Sequence, residues 1–327
     1  MKLNLIKAIP NYSPGILLAI VVTIFAFFIS SNLKLPVMLV ALFLGMILNS
    51  LSRKLIFEAG IAFSATQILR LGVAFLGFRL SFENINNLGY LPISFVIILV
   101  LFTFFSGIGI AYLFKNKLAI GCLIGGSVAV CGASAALAVA SVIPKKKIDE
   151  KEIFIVILGV TILSTIAMVI YPFLAQMLQL KDDVSGFLMG STIHDVAQVV
   201  GAGYSISDES GIIATFTKMI RVATLPIIVI IVSHIFNADS KKKLSLPWFI
   251  LFFIFAAIIN NLAQFSGLLF NSLQQISSIL LVIAISALGL KTNIIQISKV
   301  KFSFIMIIII DTLIMLALAL LGISIIF

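Results

Sequence analysis

The stretch "GFLMGSTIHDVAQVVGAGY", residues 186–204, decides how this chain is read. Gly186, Gly190, Gly201 and Gly203 bracket His194 and Asp195, with Ser191, Thr192 and Gln198 beside the pair, inside an otherwise apolar run. An adjacent imidazole and carboxylate are ordinary in a soluble loop. At bilayer depth a charged side chain costs at least about 2.5–3.5 kcal/mol on insertion scales, so it needs a partner or a water-filled cavity. The surroundings therefore settle which chemistry applies.

Those surroundings are lipid-soluble. Hydrophobic residues make up 61% of the 327 positions and charged residues 10%, with a mean hydropathy of +1.26, whereas soluble domains carry about 25% charged residues. Windows long enough to cross a hydrocarbon core of about 30 Å recur from end to end, at about 13–31, 36–52, 66–82, 90–114, 117–144, 152–179, 184–206, 209–236, 246–266, 270–290 and 302–326. No soluble domain fits between them, and nothing near residue 31 reads as a cleavage site, so the first run is expected to be a retained span. The expectation is an all-α polytopic membrane protein whose single transmembrane domain covers residues 1–327. Its location is expected to be a bacterial inner (cytoplasmic) membrane with the N-terminus cytoplasmic.

A net charge of +10 does not point to nucleic acid, because the lysines sit at span ends, as positive-inside loops require. With eleven simple crossings, the inside loops collect Lys2, Lys7, Arg53, Lys54, Lys115, Lys117, Lys181, Lys241, Lys242, Lys243, Lys291, Lys299 and Lys301. The outside holds Lys34, Lys145, Lys146, Lys147 and Lys151. The exception, "PKKKIDEK" at 144–151, disappears if 117–144 and 184–206 enter and return instead of crossing. Either two re-entrant segments or two broken single-pass helices satisfy the glycine content. In both cases the two segments are irregular and are expected to meet near mid-membrane.

The first of them, "AIGCLIGGSVAVCGASAALAVASVI" at 119–143, carries Gly125, Gly126, Ser127, Cys131, Gly132 and Ser134. Small residues let membrane helices approach closely. A break among them also exposes a half-helix N-terminus, which attracts anions and is placed by transporters near the midplane. Cys122 and Cys131 lie in one window, so no disulfide framework or metal site is expected.

His194 and Asp195 point about 100° apart on a regular helix and so address different partners. The next span, "GIIATFTKMIRVATLPIIVII", supplies Lys218 and Arg221 at i,i+3 on one helix face. One reading is a structural ion pair of Asp195 with Lys218 or Arg221. The other is that two cations against one carboxylate leave a positive surplus lining a pocket for a small anion, with Ser191 and Gln198 adding polar contacts.

Two further stretches echo each other. "LGFRLSFENI" (76–85) and "LGLKTNIIQI" (288–297) each end an apolar span with Leu-Gly, an apolar residue and a base, and by the charge count they run in opposite directions, as in an inverted repeat. Arg79 and Lys291 are read as snorkelling to the interface, Asn260 and Asn261 as cross-helix hydrogen-bond donors, and His234 as interfacial. The spans 13–31 and 247–259 carry large apolar side chains and no buried charge, which suits a lipid-facing or dimerising surface and leads to the expectation of a homodimer.

With "RLGVAFLGFRLSF", "GGSVAVCGASAALAVASVI", "MGSTIHDVAQVVGAG" and "ATFTKMIRVATLP" in order along nearly the whole chain, the sequence resembles the bacterial inner-membrane sulfate exporter family, some of whose members neighbour taurine-degradation genes. More distantly it is similar to bile-acid/sodium symporters and sodium/proton antiporters. That likeness implies two broken helices crossing at the midplane in a moving core, here around 66–144 and 184–236, set against a scaffold including 13–52 and 246–266. Carried over, Gly126, Ser127, Cys131, Gly132 and Ser134 match the first broken helix and His194, Asp195 and Gln198 the second. One departure is that the second broken segment precedes the "LGLK" echo instead of following it.

The function expected is secondary transport of a small anion, sulfate, sulfite or a sulfonate, by alternating access in an elevator-like motion. The substrate-binding set is Gly126, Ser127, Cys131, Gly132, Ser134, Ser191, His194, Gln198, Lys218 and Arg221, with Asp195 as coupling-ion site or charge partner. His194 either helps hold the anion or carries a proton. Each charge is worth about 2.3 kcal/mol per 100 mV, so a dianion leaves an inside-negative cell with about 4.6 kcal/mol of drive and needs no coupling ion. An importer of an organic anion is the alternative, and it needs H⁺ or Na⁺. No cofactor or metal is expected. An enzyme is not expected, since no nucleophile or HExxH-type spacing accompanies the pair, and a channel lacks its pore-lining repeats.

Overall fold

The computed structural model describes residues 12–33, 35–52, 54–80, 89–236, 248–262, 267–292 and 302–327. Lys2, Lys7, Lys34, Arg53, Lys241, Lys242, Lys243, Lys299, Lys301 and the downstream halves of the two echoes (81–85 and 293–297) lie outside them. Among the described residues every regular element is a helix. Helices α1 (Ser13–Leu33), α2 (Val37–Ile47) and the short α3 (Asn49–Ser52) are followed by α4 (Leu55–Phe63) and α5 (Leu69–Leu76). A π-turn, Ser64–Ile68, joins α4 to α5, and a 3₁₀ turn, Gly77–Arg79, ends α5. Then come α6 (Tyr90–Leu113), α7 (Leu118–Ala129), α8 (Ala133–Ala140), α9 (Glu150–Met177), α10 (Asp182–Thr192) and α11 (Val196–Ile206). The chain closes with α12 (Asp208–Ala223), α13 (Leu225–Ile235), α14 (Trp248–Leu262), α15 (Gly267–Lys291) and α16 (Phe302–Ile326). Among the described residues seven continuous helical stretches are long and apolar enough to cross a membrane.

Local chemistry sets several of these boundaries. Helix α9 starts where Glu152 reaches back to accept the Asp149 N–H at 3.0 Å, one half of a capping box. Helix α12 starts where Ser207 Oγ accepts the Ser210 N–H at 3.1 Å. The third span, expected from residue 66, begins at Leu55 instead. Glu58 stands in its first turn and Ser64, Thr66 and Gln67 interrupt its apolar run, so its hydropathy understates its length.

The two irregular segments are hairpins. A Cβ added at Gly126 would lie 2.9 Å from Val139 Cγ2, although an uninterrupted helix would hold those residues about 20 Å apart at 1.5 Å per residue. So α8 folds back along α7. In the second segment a Cβ at Gly186 would lie 2.5 Å from the Ser210 carbonyl and one at Gly190 2.4 Å from the Ala214 carbonyl, while one at Gly203 would lie 2.9 Å from Gly211 Cα. Helix α10 therefore runs parallel to α12 and α11 antiparallel to it. Of the two readings left open by the charges, the re-entrant one holds, and the crossing broken helices implied by the distant likeness are corrected to a facing pair of hairpins.

The hairpins open to opposite faces of the molecule. Hairpin two shares its open end with the start of α12. Hairpin one runs the other way, with Gly126 beside Ile228 further along α13 and Lys147, just past its second arm, 4.9 Å over the Phe236 ring at the end of that helix. Their tips, Val130–Gly132 and Ile193–Asp195, meet about halfway along the Asp208–Ile235 span. Helices α6, α9, α12, α13 and α16 pack around them.

Helices α1, α2, α4, α5, α14 and α15 form a second body. It is held by backbone contacts that only glycine permits: Gly15 against Gly60, Gly45 against Gly289, and Gly77 against the Phe253 carbonyl. Helix α5, placed with the core by the sequence reading, packs against α14 and α15 instead. Leu55–Arg79 and Gly267–Lys291 lie antiparallel, with Ser277 Oγ donating to the Gly72 carbonyl at 2.9 Å, so the two Leu-Gly-base ends sit at opposite faces. Asn260 and Asn261 both donate to the Leu80 carbonyl, at 3.3 and 3.0 Å.

Candidate functional site

Each hairpin tip interrupts its helix and leaves the last carbonyls of the first arm without intrahelical donors. Arg221 and Lys218, both fully buried, supply those donors. Arg221 donates to the carbonyls of Val128 (2.8 Å) and Ala129 (3.0 Å) in hairpin one, and to Gly190 (3.2 Å) and Ile193 (2.9 Å) in hairpin two. Lys218 donates to Val130 (2.6 Å) and Ile193 (2.8 Å). Two cations thus lie against the negative ends of two half-helices, and one turn of α12 ties both tips together. Among the described residues no ion pair joins Asp195 to either cation. Neither cation lines the cavity that opens in front of Asp195: Lys218 makes two donor contacts to backbone carbonyls, and Arg221 makes four, with a fifth to Met315 Sδ.

Asp195 faces the other way. Its backbone is the extended N-cap of α11, its N–H donates to Ser164 Oγ at 3.0 Å, and its Oδ1 accepts the Ala133 N–H at 3.3 Å. The carboxylate therefore sits at the N-termini of both returning arms, α8 and α11. Gly132 makes this possible. Its φ is +58°, and a Cβ there would stand 2.2 Å from Asp195 Oδ1, so only glycine fits on both counts.

A cavity of about 360 Å³ opens in front of this carboxylate, between the hairpins and the second body. Cys131, Ala133, Ser134, Asp195 and Gln198 line it from the tips, and Thr161 and Thr165 from α9. Arg70 and Lys291 line it from α5 and α15. Gln198 Nε2 donates to Thr165 Oγ1 at 3.4 Å, and Arg70 lies 5.9 Å over the Phe249 ring. The wall continues to exposed Phe154 and Lys291 on the face that also carries Lys147 and Phe236. On the opposite face Arg79, from the second body, reaches Asp208 at 3.4 Å and the Tyr204 hydroxyl at 3.2 Å.

Of the sequence-predicted residues, the structure gathers Cys131, Ser134, Asp195 and Gln198 around the cavity, with Gly132 directly behind. Gly126, Ser127, Ser191, His194, Lys218 and Arg221 lie outside its lining. Ser127 and Ser191 turn their hydroxyls back to the Leu123 and Leu188 carbonyls, and Gly126 packs the stem of hairpin one. Fully buried His194 meets Thr312 of α16, Nε2 to Oγ1, at 3.0 Å. Sequence reasoning missed Arg70, Thr161, Ser164 and Thr165, which carry no local motif, and Asp311–Thr312, where a lone carboxyl in the apolar run "MIIIIDTLIM" was the available signal.

Residues 14–308 match the family described as conserved hypothetical protein 698. The chain is 39% identical to UPF0324 membrane protein CT0845 of Chlorobaculum tepidum, across 92% of this chain and 86% of that one. It is also 39% identical to UPF0324 membrane protein TauZ of Paracoccus denitrificans, across 91% of each. Identity to UPF0324 inner membrane protein YeiH of Escherichia coli K12 is 30%, across 88% of this chain and 87% of that one. No solved structure matches the chain.

Proposed function

This chain belongs to the UPF0324 membrane proteins, the family described as conserved hypothetical protein 698, and from that premise and the geometry of the tips we propose that it is a secondary transporter of a small anion. The observation that carries the proposal is the convergence of two half-helix N-termini, α8 and α11, from hairpins entering by opposite faces, on one cavity whose largely apolar wall holds a few polar and charged groups. Half-helix N-termini favour anions, and Arg70 and Lys291 add countercharge from the facing wall. The volume suits a small oxyanion such as sulfate, sulfite or a short sulfonate. Asp195, at the mouth of both N-termini, is the place for a coupling H⁺ or Na⁺, which an importing mode requires.

Alternating access follows from the two-body construction. The unit that moves is the hairpin pair with α6, α9, α12, α13 and α16, and the scaffold is α1, α2, α4, α5, α14 and α15. By the positive-inside rule the cavity opens to the cytoplasm, and the Arg79–Asp208–Tyr204 contacts close the outer face. Apolar side chains left exposed on α1 (Ile24, Phe25, Phe28) and α14 (Leu251, Ile254, Phe255) suit the subunit contact of a homodimer.

Counterflow of radiolabelled sulfate and sulfite in proteoliposomes tests the proposal. Accumulation of label against unlabelled internal anion is expected in the wild type and not in Arg70→Ala combined with Lys291→Ala. Absence of counterflow with sulfate, sulfite and a panel of sulfonates and carboxylates, with and without Na⁺, refutes it.

A further inference from the structure

A second carboxyl lies in the hairpin body, apart from the cavity. Asp311 sits mid-way along α16 and is fully buried. Its Oδ1 accepts from Ser106 Oγ of α6, while its Oδ2 has no hydrogen-bond partner. No cation pairs with it among the described residues. A bare carboxylate in such a place is far more costly than a neutral acid, so a cation of some kind must be taken up with the negative charge.

The ionisable neighbours do not supply one. Helix α6 brings tyrosines only at its exposed ends, Tyr90 and Tyr112. Helix α7 brings Cys122 and α9 brings Tyr171, neither cationic, and the charged ends of α9 and α10 (Glu150, Lys151, Glu152, Asp182, Asp183) lie at the two faces. Arg221 approaches α16 only through Met315 Sδ, at 3.6 Å, with its other donors on carbonyls. His194, through Thr312, is the remaining titratable contact.

The position of Asp311 is as telling as its isolation. Oδ2 would stand 2.8 Å from a Cβ at Gly107, and that same Cβ would stand 2.5 Å from Gly125 Cα on the first arm of hairpin one. The next residue, Thr312, holds His194 at the tip of hairpin two. One short piece of α16 therefore touches both hairpins from behind, on the side away from the cavity.

We propose that Asp311 is a proton-binding site of the hairpin body, which takes up one proton on Oδ2 and links its occupancy to both hairpins through Gly107–Gly125 and through Thr312–His194. The step is a simple protonation: a proton from water forms the Oδ2–H bond, and Oδ1 keeps the Ser106 hydrogen bond. The site rests on the transport reading for its purpose and on its own geometry for its existence.

Two measurements separate the site from its purpose. Infrared difference spectra of the purified protein across a pH titration are expected to show the carbonyl stretch of a protonated carboxylic acid that Asp311→Asn abolishes. Ser106→Ala, which removes only the hydrogen bond to Oδ1, is expected to keep that band and shift its frequency, and it serves where Asp311→Asn does not fold. A band that survives Asp311→Asn, or is unmoved by Ser106→Ala, overturns the site, whatever anion is carried. In proteoliposomes containing a trapped pH dye, an imposed anion gradient is expected to move protons in the wild type. With Asp311→Asn the signal is expected to fall below that of the wild type, leaving only what Asp195 carries, while anion counterflow persists. Proton movement unchanged by the substitution, or a flux that follows Na⁺ instead, overturns its role in coupling. No anion movement in any variant overturns the transport reading and leaves the infrared result standing.

Discussion

Replacing Arg221 by glutamine tests the clip that joins the hairpins. The guanidinium serves four carbonyls, and one of them, Ile193, keeps Lys218 at 2.8 Å. Val128, Ala129 and Gly190 lose the donor shown here. Side-chain hydrogen bonds between membrane helices average about 0.6 kcal/mol, which sets a lower figure of about 2 kcal/mol for three. A buried acceptor left bare costs about 1–3 kcal/mol, and the glutamine amide can re-supply one of the three, so the expected loss is about 2–6 kcal/mol for the two that remain. At about 2 °C per kcal/mol for a chain of this size, unfolding is expected roughly 4–12 °C lower. The chain carries its own reporters. Its two cysteines, Cys122 and Cys131, are free, buried and confined to hairpin one, so a thiol-reactive fluorogenic dye in a thermal ramp reads the opening of that hairpin. Because no ion pair joins Asp195 to Arg221, adding Asp195→Asn is expected to restore nothing. An unchanged midpoint in Arg221→Gln, or rescue by Asp195→Asn, refutes the argument.

Gly132→Ala is expected to be more severe than its size suggests. Backbone strain of about 1–3 kcal/mol adds to a collision with Asp195, and loss of the monodisperse peak on size exclusion is the readout; a well-folded variant with full counterflow contradicts it. Asp208→Asn removes an ion pair whose acidic partner is 79% exposed and is expected to leave thermal stability nearly unchanged. It should still raise labelling of a cysteine placed at Tyr204, because the contact between the two bodies is weakened; unaltered labelling speaks against a latch. Ile254→Lys with Phe255→Lys on the exposed face of α14 is expected to convert a dimer to a monomer by native mass spectrometry, and a dimer that survives places the subunit contact elsewhere.

Much of the fold was legible because membrane burial leaves coarse marks. Apolar windows announce the spans, and the glycine clusters announce both breaks within a residue or two. The lysines of "PKKKIDEK" marked the first segment as irregular but left returning and crossing readings open. The roles of the charges were not legible. Lys218 and Arg221 look like ligand-binding cations in any linear reading, since a sequence shows side chains and not the backbone carbonyls that a broken helix leaves bare. Asp311 went unnoticed because its partners, Ser106 and Gly107, lie on a span some two hundred residues earlier. The start of the third span was hidden for the opposite reason, with polar residues inside it, of which Ser64 is buried and Thr66 faces the cavity.

Those polar residues lie in the π-turn Ser64–Ile68, which inserts the equivalent of one residue into an otherwise regular helix. Residues Ala65, Thr66, Leu69, Arg70 and Val73 present one wall of the cavity. Without the insertion, everything after it would turn by about 100° relative to the residues before it. Arg70 would then swing toward a neighbouring helix or the lipid while Ala65 stayed in place. The aim of this arginine is thus a matter of chain length as much as of residue type: shortening the turn by one residue would disarm the wall while leaving every side chain that lines it present in the sequence.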